Sequence, residues 1–154
     1  MSTLVVVSTG MLVNAGLKLF FKVPLMPHLG PGYAFPSGHT QMTTIFFGWL
    51  AINKLYPKKY FFIIVALVGY SIYAQHYHQP DEIVAGFITG LGVLMVFSKI
   101  KLHQQAVVVI LFNTVLLTIC ALKQYHLHFF FSVWLVNFFT IFYLKRNFDN
   151  KYDQ

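Results

Sequence analysis

The sequence predicts an all-α polytopic membrane bundle of about six transmembrane helices, forming one domain over residues 1–154, and three observations carry that reading. First, 57% of the residues are hydrophobic and only 10% are charged, which leaves too little polar surface to cover a water-soluble sphere of this length. Second, the apolar residues fall into six runs separated by polar stretches. Third, aromatic residues make up 18% of the chain, and many stand near the ends of those runs, where amphipathic rings favour the headgroup level. The formal charge of +7 is spread singly or in pairs between the runs. It therefore signals membrane orientation and no nucleic-acid partner, which would need a continuous basic stripe.

The first run, Leu4 to Phe21, has no basic segment before it and no small-residue cleavage site after it, so it reads as a permanent helix and not a secretory signal. A loop with Pro24, Pro27, Gly30, Pro31, Gly32 and Pro36 follows, a composition that bends without regular structure. The next three runs are Met42 to Leu55, Tyr60 to Gln75 and Ile83 to Phe97, and the last two are Ala106 to Leu122 and Phe129 to Leu144. Several fall short of the roughly 20 residues of a straight span, so flanking residues complete them or the bilayer thins locally. The stretch Asn147 to Gln154 is a short polar tail. Cys120, the only cysteine, lies inside an apolar run, which excludes an intrachain disulfide and marks it as a small buried hydrophobe. Asn14, Asn113 and Asn137 read as interhelical glue.

Alternating the six helices places Lys54, Lys58, Lys59, Lys99, Lys101, Lys145, Arg146 and Lys151 on one face and Lys18, Lys22 and Lys123 on the other. The first face is cytoplasmic by the positive-inside bias, and so are both termini. The loops Lys22 to His39, His76 to Glu82 and Lys123 to His128 then face outward. The expected setting is a bacterial inner (plasma) membrane with the functional face extracytoplasmic. Six of the seven histidines, His28, His39, His76, His78, His126 and His128, lie in or beside these outer loops.

Ser37-Gly38-His39 stands where the proline-rich loop meets the second helix. Free N–H groups and the positive end of the helix dipole make such a terminus a seat for an anion. Ser37 would add a hydroxyl and Gly38 would allow close backbone approach, although Ser37 taken alone reads first as a plain helix cap. The second constellation is His76-Tyr77-His78-Gln79-Pro80-Asp81-Glu82, whose carboxylates are the only ones before the tail. A carboxylate beside a histidine sets its tautomer and orientation, which prepares a base or a nucleophile. Asp81, directly after Pro80, would equally cap the fourth helix. Gly86 and Gly90, with Ala85 and Gly92 nearby, give that helix a small-residue surface able to hold His78 against His39. The pairs His76/His78 and His126/His128 offer a competing zinc or copper chemistry, but they lack a diagnostic ligand spacing, so no metal site and no cofactor is assigned.

Pro36-Ser37-Gly38-His39, then Ser71 with His78 seven residues on and an acid four beyond, resembles the second and third motifs of the type 2 phosphatidic acid phosphatase (PAP2) superfamily. The resemblance spans roughly Lys18 to Gly86, and it implies a metal-independent phosphatase acting on a phosphomonoester or diphosphate of a lipid. It also implies roles: His78 attacks phosphorus, Glu82 or alternatively Asp81 orients it, and His39 protonates the leaving alkoxide. Lys18, Lys22, Ser37, Gly38 and Ser71 would hold phosphoryl oxygens. Leu25, Met26 and Ile72 stand where the family carries Arg-Pro and a second arginine, and Glu82 replaces an aspartate. Lysine offers a point charge in place of the planar guanidinium fork, so a non-catalytic lipid-binding or scaffold relative is the alternative. The partners implied are a lipid phosphate and the bilayer, and nothing in the residues fixes an oligomeric state.

Overall fold

Helix-forming apolar runs bounded by turn chemistry give four helices among the described residues, which are 2–99 together with 111, 114 and 115 of a computed structural model. They are α1 (Ser2–Phe21), α2 (Gly38–Ile52), α3 (Lys58–Ala74) and α4 (Pro80–Lys99), with a short 3-10 turn at Pro27–Leu29 between the first two. The runs expected at Ala106 to Leu122 and Phe129 to Leu144 lie outside the described residues. Among the described residues, α4 is the one helix long and apolar enough to cross a membrane. Large apolar side chains on the outside of the bundle, including Phe62, Leu67, Tyr70, Ile88 and Met95, are each more than half exposed. Continuous apolar surface of that kind suits contact with lipid or protein and not with water.

The helix boundaries differ from the apolar runs because capping, not hydropathy, sets them. Helix α2 starts four residues before Met42, where the Ser37 side chain accepts from the Thr40 backbone N–H at 3.4 Å. Helix α4 starts at Pro80, whose missing N–H is no loss in a first turn. At the other ends, Lys22, Lys54 and His76 take positive φ of 52°, 59° and 56°. Lys54 and His76 each close a Schellman turn: the N–H of His76 donates to Tyr73 O at 2.9 Å, and that of Tyr77 to Ile72 O at 2.9 Å. The role of His76 in the structure is thus to end α3.

Helix α2 packs against the other three helices. Toward the Lys54 end of the bundle the core is aliphatic and aromatic, made of Val6, Ile45, Trp49, Val93, Leu94 and Phe97. Toward the other end it is polar: Ser37, Thr40, Gln41 and Thr44 are buried along one side of α2. Gly86 and Gly90 of α4 pack against that column. A methyl group at Gly86 would fall 2.5 Å from the Ser37 carbonyl oxygen, and one at Gly90 would fall 2.8 Å from Thr44 Cβ. The expected small-residue surface is therefore the contact that brings α4 onto α2. On the opposite side, Gln41 Nε2 donates to Gly10 O at 3.0 Å, and Asn14 Nδ2 donates to Gln41 Oε1 at 2.7 Å and to Pro36 O at 3.2 Å. Asn14 is glue, as its placement in the first run suggested, and it binds α1 to both α2 and the loop before it.

Candidate active site

Three chain segments meet at the polar end of the bundle: the last turns of α1, the first turn of α2, and the junction of α3 with α4. Glu82 links them. Its carboxylate oxygen Oε2 lies 2.7 Å from His78 Nδ1 and accepts from the Gln79 backbone N–H at 3.0 Å. The second bond is half of a capping box, in which the third residue of a helix reaches back to the residue before the helix. Its main-chain carbonyl accepts from the Ser37 N–H at 2.9 Å. Glu82 thus caps α4, holds His78 and anchors Ser37, the cap of the helix whose first turn carries His39. Gly86 permits the third contact, because a side chain there would meet the Ser37 carbonyl.

His78 and Glu82 are both buried. A buried carboxylate requires hydrogen-bond donors, and this one has an imidazole and an amide. An ionised carboxylate can only accept, so His78 Nδ1 is the donor in this bond, and the neutral ring would present its lone pair at Nε2. The His39 ring stands beside it in an edge-on contact, with centroids 5.9 Å apart and planes at 64°. His39 is exposed and lies one turn above the apolar run that begins at Met42. The surrounding protein strips part of its hydration, and the His78 ring and the Lys18 ammonium add to the cost of a positive charge. Its pKa therefore lies below the usual histidine value.

Both rings open onto a cavity of about 440 Å³. Lys18, Gly38, His39 and His78 line its polar side, and Leu25, Leu29, Met42 and Tyr77 line the rest. The loop reaches over the site because Pro24 pairs with Tyr33: Leu25 N–H donates to Gly32 O at 3.1 Å and Ala34 N–H to Val23 O at 2.8 Å.

Of the residues marked in the sequence, Lys18, Gly38, His39 and His78 share this cavity, with Glu82 behind His78. Ser37 is fully buried; its oxygen accepts from Thr40 N–H and from Thr40 Oγ1, and its N–H is held by Glu82, so it stands as a cap below the cavity floor. Lys22 is exposed just past the end of α1, and Asp81 is exposed in the first turn of α4. Ser71 is exposed on α3, where its oxygen accepts from Gln75 Nε2 at 2.9 Å. None of these last three lines the cavity. Among the described residues no group of three or more metal-capable side chains comes together, and His126 and His128 lie outside those residues.

Leu25, Leu29, Met42 and Tyr77 were not legible as lining residues, because their positions depend on the loop's path. Gln41 had a signal that went unread: Ser37 with Gln41 and Thr40 with Thr44 recur four apart across the start of the second helix, the spacing of a polar stripe on one helix face. Asn14 and Lys18 are likewise four apart and so share one face of α1.

Residues 6–106, more than half of the chain, match a family model described as the PAP2 superfamily. Comparison with curated proteins and comparison with solved structures each gave no match.

Proposed function

The chain belongs to the PAP2 superfamily, a phosphatase-like and usually membrane-associated family, and from that premise we propose that it hydrolyses a lipid phosphate through a phosphohistidine. The observation that carries the reading is the alignment of Glu82, His78 and His39 on one cavity. The neutral Nε2 of His78 attacks phosphorus while the ester P–O bond breaks, and the leaving oxygen takes its proton from His39. Glu82 stabilises the imidazolium that develops as His78 bonds phosphorus. Water then attacks the phosphohistidine, His39 takes the proton back, and inorganic phosphate leaves with His78 restored.

Lys18, the Gly38 backbone and the N-terminus of α2 supply the positive field that phosphoryl transfer chiefly requires. Lys22 and Ser71, expected to hold phosphoryl oxygens, and Asp81, the alternate orienting acid, stand off the cavity and take no part in this step. The cavity opens at the polar end of the bundle, away from Lys54, Lys58, Lys59 and Lys99. That end is the extracytoplasmic one by the positive-inside bias, in a bacterial inner membrane.

The test is phosphate release by the purified, detergent-solubilised chain from a panel of lipid phosphates with EDTA present. Release by the wild type that vanishes in a folded His78→Ala variant is the expected result. Equal release by that variant removes His78 as nucleophile. No release from any lipid by a folded wild type favours the non-catalytic, lipid-binding relative, a reading to which the aliphatic Leu25 in the cavity wall lends weight.

A further inference from the structure

The walls of the cavity restrict the substrate further than the reaction does. Its fixed cation is Lys18, and the second positive charge available is a protonated His39. Glu82 is occupied by His78 and by the Gln79 amide, and its charge offsets the imidazolium formed during attack. Leu25, Leu29 and Met42 present neither a donor nor a charge, and Tyr77 completes the remaining wall with a neutral hydroxyl. Leu25 is held in that wall by the backbone of the loop: its N–H bonds Gly32 O, and a methyl group at Gly32 would fall 2.6 Å from Leu25 Cδ1.

A phosphomonoester near neutral pH carries close to two negative charges; Lys18 balances one, and the bound dianion itself favours the protonated His39 that balances the other. A diphosphate adds a third charge and a second phosphoryl group, which would lie against aliphatic side chains where an unpaired charge is expensive. An apolar alcohol, in contrast, would place hydrocarbon against the same side chains. Resting on the phosphatase reading above, we propose that the substrate is a single phosphate on an apolar alcohol, and that Leu25 is the residue that selects it over a diphosphate.

The experiment compares dodecyl phosphate, dodecyl diphosphate and glycerol phosphate as substrates of the detergent-solubilised chain, wild type and Leu25→Arg. For the wild type, kcat/KM for dodecyl phosphate should exceed that for each of the other two by at least about tenfold, the factor that one unpaired charge at a partly screened site readily supplies. Leu25→Arg should raise the diphosphate value and narrow that gap, since guanidinium adds both a charge and a planar pair of donors. A wild type that hydrolyses the diphosphate equally well, or glycerol phosphate equally well, overturns the proposal, as does a folded Leu25→Arg chain with an unchanged preference.

Binding to the wild type supplies a readout that requires neither turnover nor the variant. Dodecylphosphonate should raise the unfolding temperature more than the dodecyl ester of methylenediphosphonate does. Selective binding without any turnover would refute the phosphatase reading and leave this selectivity standing, whereas turnover with the opposite binding preference would refute the selectivity alone.

Discussion

The Glu82 side chain lies within bonding distance of His78 Nδ1 and of the Gln79 N–H through the same oxygen, and its two roles predict different losses. Glu82→Gln keeps size and shape but replaces the acceptor by an amide that can present a donor, which favours the wrong histidine tautomer. Phosphate release should fall by about 10²–10⁴-fold, by analogy with the aspartate-to-asparagine change in a catalytic triad. The fold should survive, since the loss of one cap is worth about 1 kcal/mol. Circular dichroism alongside the assay would check both, and a Gln variant with near-normal turnover would remove Glu82 from the mechanism. For His39, partial desolvation, the His78 ring and the Lys18 ammonium all disfavour the charged imidazole. Followed by NMR in detergent, its ring should titrate below about 6.5, and Lys18→Met should raise that value by removing a nearby positive charge. An unchanged titration in Lys18→Met would show that the ammonium does not act on the ring.

The junction of α2 with α4 sets the geometry of the site. Gly86 and Gly90 bring the α4 backbone against Ser37, Gln41 and Thr44, close enough for the Ser37 N–H to reach the Glu82 carbonyl. Gly86→Ala should force the helices apart at a cost of about 1–3 kcal/mol, with activity falling further than stability because the His39–His78 spacing widens with it. Gly92→Ala is the control: nothing lies within 4 Å of a methyl group there, and alanine favours a helix over glycine. Thermal unfolding in detergent would separate the two, and equal behaviour would show that the close approach at Gly86 is not limiting. This contact was legible in the sequence, because small residues four apart on an apolar helix predict close packing whatever the partner. Its partner was not legible, since hydropathy places Gln41 outside the run that begins at Met42 and reads Thr44 as an interruption of it, not as parts of a buried column.

At the scale of the molecule, α1, α2 and the α3–α4 junction contribute to the cavity at one end, and Lys54, Lys58, Lys59 and Lys99 mark the other. In right-side-out membrane vesicles, with Cys120 replaced by alanine, Gln79→Cys should react with an impermeant thiol reagent directly. Lys58→Cys should react only after permeabilisation. The reverse pattern would turn the site toward the cytoplasm.

The sequence by itself determined the helical class, the approximate extent of the four described helices, and the two segments that carry His39 and His78. Apolar period, turn residues and short motifs are local properties and can be read locally. Only the tertiary structure decided that Glu82 and not Asp81 meets His78, that Ser71 and Lys22 stand off the cavity, and that Leu25, Leu29 and Met42 wall it. Glu82 is the third residue of α4 and Asp81 the second, so the capping box that turns the third residue back to the Gln79 N–H brings Glu82 to His78 and leaves Asp81 exposed. Small residues at Gly86 and Gly90 set how closely α4 meets α2, and the cavity wall depends on where a loop without regular structure crosses the end of the bundle.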